Sequence, residues 1–163
     1  MTEDKIHTPP RPRGFALAAS GFPVWFYRLG LGGLLGKRFL MLVHTGRRSG
    51  LPRRTVLEVI RYSEAGDAFF VVSAWGERAD WYRNIIKIPE VVVHSGRRRM
   101  DARADRLSTA EAAAELASYA RRYPRAMRII VERMGYEVVP DEQGFAQLSE
   151  VLPVIALKPL AEV

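Results

Sequence analysis

Leu42-Val43-His44-Thr45-Gly46-Arg47-Arg48-Ser49-Gly50-Leu51-Pro52-Arg53-Arg54 joins two apolar runs, Phe39 to Val43 before it and Thr55 to Ile60 after it. The pattern reads as a strand, a tight turn and a returning strand. Gly46 and Gly50 let the backbone take positive φ and come close to a ligand. Arg47, Arg48, Arg53 and Arg54 therefore gather on one strand-turn-strand tip. Each guanidinium is a planar fork of donors that stays charged at any working pH. Such a tip suits a phosphate or several carboxylates. The same spacing also suits a solubilising hairpin end.

Outward from this hairpin, further strands are expected at Ala68–Ala74, Val91–Ser95 and Met100–Arg106, with the returning strand at Thr55–Tyr62. Each is short, rich in β-branched or aromatic residues, and bounded by Gly, Pro or Ser. Ala79 to Lys87 reads as a short helix with Trp81 and Ile85 on one face, ended by Pro89. Ser108-Thr109-Ala110-Glu111 has the spacing of a capping box and opens a long alanine-rich helix. Pro124 breaks it, and a second helical stretch reaches Met134. The Pro140–Gly144 region reads as a turn. Val151 to Leu157 reads as the last strand, where Pro153 predicts an edge position or a bulge. The expected fold class is mainly β within α+β: a small antiparallel barrel with flanking helices at the N-terminus, in one crossover and before the last strand.

The chain has 163 residues, 48% of them apolar, enough for one domain with a substantial core. Residues 1–13, with Pro9, Pro10 and Pro12, read as a mobile arm, and 14–163 as a single domain. Lys and Arg number 25 against 18 Asp and Glu, a net charge of +7. That excess points to an anionic partner: a phosphorylated cofactor, an acidic membrane surface or nucleic acid. With no cysteine, disulfides, thiolate catalysis and thiolate zinc sites are excluded. The uncharged stretch Gly14 to Tyr27 is too short to span a bilayer. Val24 to Leu35, with Trp25, Phe26 and Tyr27 near Lys37 and Arg38, suits either a helix packed on the core or one resting on a membrane surface.

His7, His44 and His94 are not spaced as a metal site, and no nucleophile elbow or phosphate-loop motif occurs. Gly30-Leu31-Gly32-Gly33 lies inside a helical stretch and gives the dinucleotide reading little support. Val71-Val72-Ser73-Ala74-Trp75-Gly76 is a strand running into a loop whose backbone amides and Trp75 suit a flat ring, or simply a strand end with a core Trp. In Asp80-Trp81-Tyr82-Arg83-Asn84, Asn84 suits a cap or a ligand donor.

Taken together, Thr45-Gly46-Arg47-Arg48-Ser49-Gly50-x-x-Arg53, Val71–Gly76, Trp81-Tyr82-x-Asn84, Pro89-x-Val91-x-Val93 and Gly96-Arg97 resemble the deazaflavin-dependent nitroreductase/quinone reductase family. The resemblance covers about Trp25 to Val93 well, and the rest more loosely. It implies an FMN-binding-like split β-barrel and coenzyme F420, an 8-hydroxy-5-deazaflavin with a phosphodiester and an oligoglutamate tail. On that resemblance Arg47, Arg48 and Arg53 grip the phosphate and tail, with Thr45, Ser49 and Gly50 in the turn around them. Ser73, Ala74, Trp75 and Gly76 lie against the ring, and Trp81, Tyr82 and Asn84 form a helix flanking the cofactor.

The substrate side departs from the family's pattern. Its best-known quinone and nitroimidazole reductases carry a tyrosine on the second strand, where this chain has Glu58. They also carry a late cluster after a Tyr-Pro pair, of which Tyr123-Pro124 retains one member. Ala126 and Ile129 stand where others are expected, and Tyr119 is one helical turn earlier. The implied activity is hydride transfer from reduced F420 to a small electron-poor acceptor such as a quinone, enone or nitroaromatic. Tyr123 or Tyr119 would serve as the hydroxyl near the acceptor, with Glu58 and Trp25 on the substrate face. The alternatives are a barrel that holds FMN or haem, and a basic module that binds nucleic acid through the arginine tip. The chain is expected in the cytoplasm or at the inner face of the membrane, as a monomer or homodimer.

Overall fold

The computed structural model describes residues 38–133, 135–137 and 140–161. The expected arm over residues 1–13, the helix broken at Gly21-Phe22-Pro23, Trp25 and the Val24–Leu35 segment lie outside the described residues. The elements run β1 (Phe39–Thr45), β2 (Pro52–Ser63), β3 (Ala68–Val72), a 3-10 turn (Gly76–Arg78), α1 (Asp80–Lys87), β4 (Glu90–Ser95), β5 (Arg98–Arg106), α2 (Thr109–Arg122), α3 (Pro124–Arg133), α4 (Glu142–Val151) and β6 (Val154–Pro159). The six strands close into a barrel in the order β1-β2-β3-β6-β5-β4, every neighbouring pair antiparallel.

Burial explains which strands lie where. β5 alternates, with Met100, Ala102 and Ala104 buried and Arg99, Asp101 and Arg103 exposed, so its outer face meets solvent. β3 and β6 carry unbroken apolar runs because both faces are covered. Phe69, Val71, Ile155 and Leu157 point into the barrel with Leu40, Leu42 and Val93. Ala68, Phe70, Val154 and Ala156 point outward beneath Leu116, Tyr119, Met127, Leu148 and Leu152 of the late helices. Complete burial of a side chain such as Leu157 contributes roughly 1.5–3 kcal/mol.

The register of β2 slips between Val59 and Arg61. Alternation puts Leu57 and Val59 on the barrel core and Ile60 under the helices, and the bulge then shifts the phase so that Tyr62 returns to the barrel core. Arg61 follows Ile60 outward, under the Phe70 ring at 3.9 Å and paired to Glu115 at 2.6 Å.

The expected capping box is present: Ser108 Oγ accepts from the Glu111 amide, and the Glu111 carboxylate accepts from the Ser108 amide. Three expectations are corrected. β2 begins at Pro52, which the first position of a strand tolerates, so Arg53 and Arg54 stand on the strand instead of in the turn. The Pro140–Gly144 region opens a helix, α4, capped where Asp141 Oδ1 accepts from the Gly144 amide at 2.7 Å. β6 therefore starts at Val154 and lies between β3 and β5, not at an edge. Pro153 precedes it, and its carbonyl accepts from the Ser73 amide at 2.9 Å.

Candidate functional site

A cleft of about 1100 Å³ runs from the β1–β2 turn to the wall formed by α2, α3 and the end of α4. The turn is built by backbone closure. The Gly46 amide donates to the Leu51 carbonyl and the Gly50 amide to the Gly46 carbonyl, both at 2.8 Å. A Cβ at Gly46 would sit 2.6 Å from Ser49 Oγ, which can rotate away, and 3.3 Å from the Leu51 carbonyl, a tight fit; of the two turn glycines, Gly50 has the expected positive φ, at +68°, and Gly46 does not.

Arg47 is committed to the protein. Its Nη1 donates to Asn84 Oδ1 at 2.8 Å and its backbone amide to the same oxygen at 3.1 Å. Its Nη2 pairs with Asp80 Oδ1 at 3.0 Å. Asp80 and Asn84 stand one turn apart on α1, so a single helix face latches the arginine turn to the barrel. The side chains of Arg48, Arg53 and Arg54, which also line the cleft, make no salt bridge or hydrogen bond among the described residues.

The Asn84 amide also fixes the state of His44. With Oδ1 occupied by Arg47, Nδ2 faces His44 Nδ1 at 3.0 Å and donates to it. Nδ1 is then the acceptor, and the neutral ring carries its proton on Nε2. His44 is only 5% exposed and stands opposite Arg53 in the β1–β2 register. It lines the cleft. Burial first, and the Arg53 charge second, pull its pKa down to about 4. An unfolded histidine titrates near 6.5, so the stability this group contributes is complete above that pH. It drains away as the pH falls from 6.5 through about 4. The loss should be on the order of 2 kcal/mol, less than the full shift implies because the ring borders an open cleft. Burial also lowers the pKa of His94 and acts in the same direction. The difference between wild type and His44→Gln in urea unfolding across pH 4–7 isolates His44, and superimposable slopes would contradict this account.

Ser49, Ala74, Trp75, Trp81 and Asn84 join Arg47, Arg48 and Arg53 on the cleft wall. The remaining residues of the expected cofactor set, Thr45, Gly50, Ser73, Gly76 and Tyr82, stand outside it. The Ser73 hydroxyl is buried and donates to the Gly76 carbonyl at 2.6 Å, tying the loop that presents Ala74 and Trp75. Tyr82 plugs the barrel core, and its hydroxyl accepts from Arg106 at 2.8 Å.

The other end of the cleft is apolar. Ile60, Val72, Leu116, Met127, Ile130 and Leu152 line it, with Glu58 and Tyr119 among them. Glu58 faces away from Leu57 and Val59, as strand alternation predicts. Tyr119 is 1% exposed, and its hydroxyl donates to Glu58 Oε1 at 2.8 Å. Burial, then the Glu58 carboxylate, raise the phenol pKa. Tyr123 is 49% exposed and lies off this wall. Its ring packs at a tilt against Tyr119, centroids 5.3 Å apart, and it borders a second cavity of about 260 Å³ together with Arg38, Glu58 and Arg122.

Sequence reasoning left out of its site set His44, Arg54, Asp80 and the apolar wall of α2–α4. Arg54 was legible in the arginine run. The wall has no local signal, because its members come from separate helices.

The sequence profile of the F420H(2)-dependent quinone reductase family matches residues 24–132. No curated protein matches the chain. Among solved structures, the chain resembles an F420-H2-dependent reductase with TM-score 0.53 and 18% identity, over 76% of this chain and 96% of that one. A structure described as a domain-swapped dimer has TM-score 0.53 and 17% identity, over 83% and 99%. A conserved hypothetical protein from Mycobacterium tuberculosis has TM-score 0.51 and 12% identity, over 98% and 85%. At these identities the solved structures establish the split-barrel fold alone.

Proposed function

The chain belongs to the F420H(2)-dependent quinone reductase family, a family of oxidoreductases, and on that premise we propose that it binds reduced coenzyme F420 and reduces a small, electron-poor acceptor with it. The observation that carries this reading is the set of three arginines, Arg48, Arg53 and Arg54, whose side chains are unpaired among the described residues, on one wall of a cleft whose far end is apolar. A phosphodiester followed by several carboxylates needs more cationic forks than one phosphate does. That count favours the deazaflavin coenzyme over FMN.

The donor set fits the group. Arg48, Arg53 and Arg54 would hold the phosphate and tail, and the neutral His44 Nε2–H adds one fixed donor beside them. Ala74, Trp75 and Trp81 would flank the flat ring. When bound, the reduced deazaflavin supplies a hydride, which the acceptor takes up together with a proton. The protein's part is to orient the acceptor against the ring. Ile60, Leu116, Met127 and Leu152 present no polar group to the acceptor. Tyr119 Oη keeps its proton, because burial and Glu58 both oppose ionisation, and it therefore holds Glu58 in place. Tyr123 lies off the cleft wall, so water is the proton source in this reading.

The test is a titration of the full chain with oxidised F420 and, in parallel, FMN, followed by tryptophan fluorescence. Wild type should bind F420 in the micromolar range and prefer it to FMN. Arg48→Ala/Arg53→Ala, with its melting temperature checked, should bind roughly ten- to a hundredfold more weakly, since each lost charge-assisted contact contributes about 1.4 kcal/mol or more. Preference for FMN, or equal F420 affinity in the variant, overturns the proposal.

A further inference from the structure

We infer that Glu58 selects the acceptor: the cleft takes an apolar molecule that carries an N–H or O–H donor beside its reducible ring. This inference rests on the oxidoreductase reading above and adds the chemistry of the substrate.

Glu58 stands on β2 between the apolar end of the cleft and the smaller cavity beside Arg38 and Arg122, lining both, its side chain 29% exposed. Its two oxygens are unequal. Oε1 accepts from Tyr119 at 2.8 Å and, at 3.5 Å, from the exposed Arg38. Oε2 has no hydrogen-bond partner among the described residues. The carboxylate is also held in place. Tyr119 is buried and its ring packs at a tilt against Tyr123, and the Val59 amide beside Glu58 donates to the Arg38 carbonyl at 2.8 Å.

A fixed, unpaired acceptor among Ile60, Val72, Leu116, Met127 and Leu152 rewards a ligand that brings a donor to it. A ligand that covers it with a methyl group or a carbonyl oxygen strips its water and returns nothing. Sites built around an unsatisfied polar group discriminate against analogues lacking the complementary group far better than apolar pockets discriminate by size. Arg48, Arg53 and Arg54 stand at the other end, and Arg38, the cation beside Glu58, meets Oε1 and leaves Oε2 open among the described residues.

The probes are 2-amino-1,4-naphthoquinone and 2-methyl-1,4-naphthoquinone, which differ by one near-isosteric substituent. Their affinities are measured by calorimetry on the full chain, with and without saturating oxidised F420. Wild type should bind the amino compound roughly tenfold more tightly, the size of one charge-assisted hydrogen bond after solvent competition. In Glu58→Gln, the amide oxygen stays on Tyr119 and an NH2 group replaces the free oxygen, so the preference should shrink to within about twofold. Glu58→Met, a second variant of similar length, should favour the methyl compound. Equal affinities in wild type, or an amino preference that survives both substitutions, overturn the inference. F420 binding without an amino preference sinks this inference alone. An amino preference without F420 binding sinks the cofactor reading alone.

Discussion

Asn84→Ala is expected to lower stability by about 3 kcal/mol, the cost of leaving buried donors and acceptors without partners. At two to four degrees per kcal/mol for a chain of this size, the melting temperature should fall by roughly 6–12 °C. Asn84 is 5% exposed. Its Oδ1 takes the Arg47 amide and guanidinium, and its Nδ2 holds His44 Nδ1. Truncation strands the Arg47 amide and His44 Nδ1 together, while Arg47 keeps Asp80. The turn should loosen without detaching, and binding of F420 should weaken with it.

Asn84→Asp makes a sharper version of the same test. A carboxylate still accepts from Arg47, but it presents an acceptor to His44 Nδ1, which is itself an acceptor. His44 must then present an N–H at Nδ1, by moving its proton there from Nε2 or by gaining a second one, and the new carboxylate raises its pKa from the present value of about 4. The loss of stability on acidification that His44 causes in the wild type should shrink accordingly. An NMR titration of His44 reads the shift directly. A His44 pKa that stays near 4 in the Asp variant would break the assigned chain Arg47–Asn84–His44.

What was legible in the sequence follows from how local each signal is. The arginine turn, the β1–β2 hairpin and the Ser108–Glu111 box are each written within a few consecutive residues, and each appears in the structure. The F420-reductase family pattern was readable for the same reason, since its turn and its Trp81-Tyr82-x-Asn84 helix are short segments. α4 was not read because Pro140 and Gly144 look like turn residues. In fact Asp141 caps the helix through the Gly144 amide, and Leu148 and Leu152 repeat at helical spacing on its buried face.

Tyr119 and Tyr123, one helical turn apart, looked interchangeable. Pro124 ends α2, so Tyr123 becomes the C-cap with φ −134° and ψ 63°, and the two rings diverge in burial. The split among the arginines was also invisible. Arg47 and Arg48 are adjacent and chemically identical, yet only Arg47 meets Asp80 and Asn84, and those partners come from α1, 33 and 37 residues away. A constellation assembled across a barrel leaves no spacing rule behind. The same holds for Glu58 and Tyr119, which are 61 residues apart.

Gly76→Ala is expected to be as damaging as loss of the Asn84 network, for a reason that a control separates cleanly. Gly76 has φ +62°, a left-handed conformation that costs a residue with a Cβ roughly 1–2 kcal/mol. The added Cβ would also lie 2.8 Å from the Val151 carbonyl oxygen, a backbone atom at the end of α4 that cannot rotate away. The Gly76 amide donates to the Ser73 carbonyl, Ser73 Oγ donates back to the Gly76 carbonyl, and the Ser73 amide donates to the Pro153 carbonyl. The clash therefore strains the knot that joins the Ala74–Trp75 wall of the cleft to the α4–β6 junction. Strain and clash together should cost about 3 kcal/mol. Gly50 has φ +68° and nothing within 4 Å of its own would-be Cβ. Gly50→Ala should therefore cost only the conformational part, about 1 kcal/mol. Urea unfolding of the two variants compares one backbone conformation with and without the carbonyl contact. A difference of about 2 kcal/mol between them assigns Gly76 to close approach, whereas equal losses would reduce its role to backbone conformation alone. Trp75 fluorescence should change in the Gly76 variant before global unfolding, because the displaced loop carries that ring out of its contact with the barrel core.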